Sequence, residues 1–87
     1  MPTPEIIERV RSFRDELGDT QPDPALAPQV EELRQHVDRV LAQPDQEPHY
    51  RSLSDRLLFH ATGFQLDHPQ LSASMQALAD SLAKVGI

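Results

Sequence analysis

The stretch Tyr50-Arg51-Ser52-Leu53-Ser54-Asp55-Arg56-Leu57-Leu58-Phe59-His60-Ala61-Thr62-Gly63-Phe64-Gln65-Leu66 decides the fold. Tyr50, Leu53, Leu57 and Phe64 recur at helical intervals, which puts them on one side of an α-helix. The same spacing governs the segments on either side: Leu71, Met75, Leu78, Leu82 and Val85 after it; Ile6, Val10, Phe13 and Leu17, then Leu26, Val30, Leu33, Val37 and Val40, before it. No segment alternates as a strand would. The expected fold is all-α, with four short amphipathic helices arranged as two antiparallel hairpins or a small bundle.

Proline and glycine punctuate these stripes. Thr3-Pro4 reads as a helix start, because Thr can cap an orphan amide and Pro at the first position gives up an N–H that has no partner there. Gly18 reads as the stop. Asp19 to Pro24 form a polar turn, after which Asp23 is expected to cap the second helix with Pro24 at its first position and Pro28 one turn in. Residues 43–48, Gln-Pro-Asp-Gln-Glu-Pro, are the candidate mobile linker. Asp67-His68-Pro69 separates the last two helices with a corner in which Asp67 or His68 can cap and Gly63 can relax the preceding turn. Gly86 is the final stop. The expected helices cover 4–17, 24–42, 49–66 and 69–85 of a single domain, 1–87.

The third helix differs from the others. Leu58, Phe59 and Leu66 add a second apolar side to its stripe, and a helix apolar on two sides is expected to be central. It is central either within one chain or between two chains.

Composition narrows the functional classes. At 87 residues the chain buries only about 60–65% of its unfolded surface. Its apolar content of 38% lies below the ~45% usual for a globular domain, a figure that also counts Gly, so the core is thin and open to completion by a partner helix. Net charge is −6, and Arg9, Arg11 and Arg14 are interleaved with Glu5, Glu8, Asp15 and Glu16. Such a surface has no basic face for nucleic acid or for a membrane surface. Seven of the eight cations are Arg, which reads as a bias of the source genome. The absence of Cys excludes disulfides, thiolate catalysis and Cys-based zinc sites. No run has the apolar length of a signal peptide or a membrane span, so a soluble cytoplasmic protein is expected.

Phe64-Gln65-Leu66-Asp67-His68-Pro69-Gln70-Leu71, with Met75, Leu78, Ala79, Asp80 and Leu82 beyond it and Val85-Gly86-Ile87 at the close, resembles the C-terminal signature of a family of small bacterial proteins known only as a domain of unknown function. The resemblance covers residues 50–87 closely and the first half in pattern. A small polar residue such as Ser often precedes the His-Pro of that signature, where this chain has Asp67, and Met is common at the position of Val85. The resemblance implies a short all-helical bacterial protein and carries no activity, cofactor or partner.

Four histidines raise the question of metal or acid–base chemistry. His60 lies on the third stripe, as a core-edge or interface residue. His68 belongs to the corner, His36 to the boundary of the second helix beside Leu33 and Val40, and His49 to the linker. The sharpest metal hypothesis brings His60, Asp67 and His68 together at the corner. No His-x3-His pair and no Glu-x-x-His element supports it. Asp15/Glu16 and Glu31/Glu32 sit on polar faces without a cleft to separate their pKa values. Glu5 with Arg9, Arg51 with Asp55 and Asp80 with Lys84 are spaced as solvated helix pairs. Ser72, Ser74 and Ser81 have no His on their helix, and the three glycines form no phosphate loop.

The expected function is therefore that of a small cytoplasmic helical protein–protein interaction module, self-associating as a homo-oligomer and also able to act as an adaptor or regulator. It is expected not to be an enzyme, to use no cofactor and to bind neither nucleic acid nor membrane. The candidate interface is Leu57, Leu58, Phe59, His60 and Phe64. A second reading is a metal- or small-ligand-binding protein with its site near His60 and His68. A third is a small acidic chaperone or antitoxin-like binder with a basic partner.

Overall fold

The structure, a computed structural model, describes residues 3–21 and 23–86. Pro22 of the first turn and Ile87 of the Gly-Ile end lie outside the described residues. Four helices succeed one another along the chain: α1 Pro4–Asp19, α2 Ala27–Ala42, α3 Glu47–Phe64 and α4 Pro69–Lys84. Among the described residues there is no strand. Each helix packs on its sequence neighbour, and α4 closes back onto α1, while the diagonal pairs do not meet. Residue pairings across the seams fix the directions. The end of α1 meets the start of α4 through Glu16 and Ser74, and the end of α3 meets the start of α4 through Ala61 and Ser72. The end of α3 meets the first half of α2 through His60 and Glu32. The result is an antiparallel four-helix bundle with extents of 35 × 22 × 18 Å.

Each stripe points at the bundle axis. Ile6, Val10, Phe13 and Leu17 are buried, as are Leu33, Val37 and Val40, Tyr50, Leu53, Leu57 and Phe64, and Leu71, Met75, Leu78 and Leu82. Leu26, Val30, Leu41 and Val85 pack half-buried against this column. The chain therefore completes one continuous core from its own helices.

Thr3 caps α1 as its sequence suggests: its hydroxyl accepts the Ile6 N–H at 3.2 Å, and Pro4 occupies the start of the helix. Gly18 is not the stop. The helix runs through it to Asp19 and ends at Thr20, whose N–H donates to Leu17 O and whose hydroxyl donates to Glu16 O. These two bonds satisfy terminal carbonyls without a left-handed residue. Gly86 does take that conformation, with φ of 82°, just past α4.

α2 begins later than expected. Residues 24–26 form a separate turn in which the Leu26 and Ala27 N–H groups both donate to Asp23 O, and no side chain caps the helix. Pro28 explains the delay. It has no N–H to return to Pro24, so the regular ladder starts only around Pro28, near the beginning of α2. The segment before α3 is tied down where the sequence suggested a mobile linker. Tyr50 donates its phenolic hydroxyl to Pro44 O at 2.6 Å, and His49 Nε2 lies 2.8 Å from Gln43 Oε1. α3 consequently starts at Glu47, with Pro48 in its first turn.

The corner between α3 and α4 is held by backbone and by Ser72. The His68 N–H donates to Phe64 O at 2.8 Å, and neither Asp67 nor His68 caps α4 with its side chain. The His68 ring instead packs against Phe64, with centroids 6.0 Å apart. Ser72 is buried and donates to Ala61 O at 2.7 Å, which occupies one of the last carbonyls of α3. Ser72→Ala leaves that buried carbonyl without its donor and should cost about 1–3 kcal/mol, read as a lower urea midpoint. Asp67→Ala removes no cap and should stay within about 0.5 kcal/mol of the parent in the same melts.

Candidate functional site

α3 turns two kinds of surface away from the core. Its outward side carries Leu58, Phe59 and, in the turn beyond its end, Leu66, which are 58%, 68% and 93% exposed. These are the large apolar residues left in solvent among the described residues. Of the two ways in which α3 could be central, packing within the chain leaves its second apolar side uncovered: in a closed square of four helices that side has no helix to meet. Of the candidate interface residues, Leu57 and Phe64 are fully buried in the chain's own core and His60 is 7% exposed. Leu58 and Phe59 alone face outward.

Beside this strip, at the seam with α2, lies a charged network. Glu32 of α2 forms an ion pair through Oε1 with Arg56 Nε, and its Oε2 lies 3.1 Å from His60 Nε2. Arg56 Nη2 lies 3.3 Å from the same imidazole nitrogen. One nitrogen thus meets a carboxylate and a guanidinium together. With its proton on Nε2, His60 donates to Glu32 and has nothing to offer Arg56; with the other tautomer it accepts from Arg56 and turns a lone pair toward Glu32. Arg56 also stacks over the Phe59 ring, 4.5 Å from its centroid, and the His60 ring meets Phe59 edge-on at 5.0 Å. The network therefore holds the base of the exposed Phe59 in place.

The electrostatics derive from these contacts. Hydrogen bonding to Arg56 holds the Glu32 carboxyl below its ordinary value, with His60 assisting and partial burial opposing. His36 is lowered chiefly by burial, reinforced by the nearby Arg39, while Glu32 at 4.0 Å pulls the other way. Glu32 has no local mark in the sequence, where it stands beside Glu31 on a polar face. Glu31 does stay there, paired with Arg34 at 2.6 Å, whereas Glu32 reaches across a helix seam. Its spacing carried no sign of this, since its partners lie 24 and 28 residues away. Of the expected helix pairs, Glu5 with Arg9 forms at 3.1 Å; Arg51 with Asp55 and Asp80 with Lys84 do not.

His60 faces α2 and His68 faces Phe64, so the structure does not gather them into a ligand set. Among the described residues no group of three or more His, Asp or Glu could hold a metal ion. No helix of the described residues is long and apolar enough to cross a membrane. A shallow groove of about 490 Å³ runs elsewhere, between α1 and α4, over Phe13 and Leu78. Ser74 there donates to Glu16 at 3.0 Å, a second link that sequence reading missed.

Fold and site define a small antiparallel four-helix bundle with an exposed apolar strip on one corner helix. The chain matches the family model for Domain of unknown function (DUF4404) over residues 6–87 and belongs to that family. A search of the curated proteins finds no match, and a search of the solved structures finds none.

The lowered pKa values set the acid response. Both groups bind more protons in the unfolded chain than in the folded one, so stability falls as pH drops. The His36 contribution is complete above its ordinary value of 6.5 and declines as pH falls through and below it. The Glu32 contribution is complete above its ordinary value of 4.5 and is lost below that, as the folded carboxyl takes its proton. Thermal melts from pH 8 to pH 3 (about the span of these titrations) should show both declines. His36→Gln should flatten the first and Glu32→Gln the second.

Proposed function

We propose that this chain is a small cytoplasmic helical protein–protein interaction module that associates with a second copy of itself through the outward side of α3, and that it is not an enzyme. One observation carries the reading. Leu58 and Phe59 are adjacent, large, apolar and more than half exposed, in a chain whose apolar stripes are otherwise turned inward. The α3 core face is already satisfied, so these two side chains contribute nothing to the bundle interior. Phe59 is also held in position by Arg56 and His60, which lowers the entropy lost when a partner covers it. The polar groups nearby are engaged with one another across a helix seam and present no nucleophile, which favours binding over catalysis.

Sedimentation over a range of concentrations tests this. Wild type should shift from one chain to two per particle. Phe59→Ser should weaken association about tenfold or more while leaving helix content unchanged, because burying one Phe contributes roughly 1.5–3 kcal/mol. A wild type that stays monomeric at millimolar concentration overturns the reading. Capture of a basic protein through the same strip, without self-association, would favour the acidic-binder alternative.

A further inference from the structure

The outward side of α3 is self-complementary about Phe59. At 100° per residue, Ser52, Asp55, Phe59, Gly63 and Leu66 fall within about 40° of the line through Phe59, with Arg56 and Thr62 at about 60° on either side. The turn after Phe64 keeps the helical path: Gln65 is in the right-handed helical region, and His68 N–H still reaches Phe64 O. Arg51 lies eight residues before Phe59 and Asp67 eight residues after it. Both are exposed, and neither makes a hydrogen bond or ion pair among the described residues.

We propose that two copies of this chain pair α3 against α3, antiparallel about a two-fold axis at Phe59, with Arg51 of each copy matched to Asp67 of the other. This rests on the self-association proposed above and specifies its geometry. A two-fold axis at Phe59 places residue pairs equidistant from it opposite one another. Phe59 then meets its own counterpart, large Leu66 lies over small Ser52, and Asp55 faces Gly63, where no side chain obstructs it. A Cβ at Gly63 would meet nothing within 4 Å in the isolated chain, and its backbone is ordinary helix, so the bundle itself does not require glycine there. Arg51 and Asp67 lie on opposite flanks of the strip. They come together when the helices cross obliquely with the negative hand of the commonest helix-packing class. Charge selects this register over its neighbour. Moving the crossing point half a turn toward Gly63 sets Asp55 of each copy against Asp67 of the other, two like-charge contacts at the same interface.

Charge exchange tests the register. All variants carry substitutions at exposed positions, and matching circular dichroism and melting temperature confirm that the bundle is intact. R51D and D67R each place like charges at both ends of the pair, and each should self-associate about tenfold more weakly than wild type. The double variant R51D/D67R restores opposite charges and should recover dimerisation. The decisive measurement mixes the single variants at a concentration where each alone is mostly monomeric: R51D with D67R makes both ends complementary, so a 1:1 heterodimer should form there. Added salt should weaken the wild-type dimer and the heterodimer alike. A dimer that forms in wild type but is indifferent to these exchanges overturns the Phe59-centred register and leaves self-association standing. Absence of any wild-type dimer overturns both.

Discussion

The molecule depends on one constraint: each helix has a single narrow apolar stripe, and all four stripes must be hidden at once. A closed square of antiparallel helices does this, with each helix touching two neighbours and the axis filled by side chains. Val10, Leu33, Val37, Val40, Leu53, Leu57, Met75 and Leu82 show no exposed surface within that column. Burial of this kind is the main favourable contribution to folding and has no direction of its own. Direction comes from the connections. Short turns force each helix to return alongside the one before it.

Proline writes the starting points of that path. Pro4, Pro28, Pro48 and Pro69 each sit within the first two positions of a helix, where a missing N–H has no partner to lose. The same chemistry that permits Pro at a start forbids it inside, so these residues also prevent consecutive helices from fusing. Four of the chain's eight prolines thus stand at helix starts.

Polar side chains work at the seams and not in the column. Ser72 ties α4 to the end of α3, Ser74 ties α4 to Glu16 of α1, and Glu32 ties α2 to Arg56 and His60 of α3. Ser72 and His60 are buried, and a buried polar group without a partner is costly, so their contacts disfavour sliding of α3 along α4 and α2. α3 is the helix on which these demands meet: it has a hydroxyl seam toward α4, a charged seam toward α2, a core face, and a fourth side that the bundle leaves open.

The helices and the core were legible in the sequence because the information is local. Whether Val10, Phe13 and Leu17 share a face depends only on helical geometry, and so does the capping of α1 by Thr3. The resemblance to a family of unknown function was drawn from residues 50–87, and the family match covers residues 6–87. Helix starts were less legible where two prolines compete, as at Pro24 and Pro28, since local rules permit either. The sequence left open the fate of the second apolar side of α3, which a helical wheel marks as apolar without saying what covers it. Only the tertiary structure decided that Leu58 and Phe59 face solvent while His60, the next residue, is enclosed by Glu32 and Arg56. The reason is physical. A stripe reports the face a helix must bury, but a contact between groups 28 residues apart depends on the height and rotation of two helices relative to each other, and those are set by packing throughout the core.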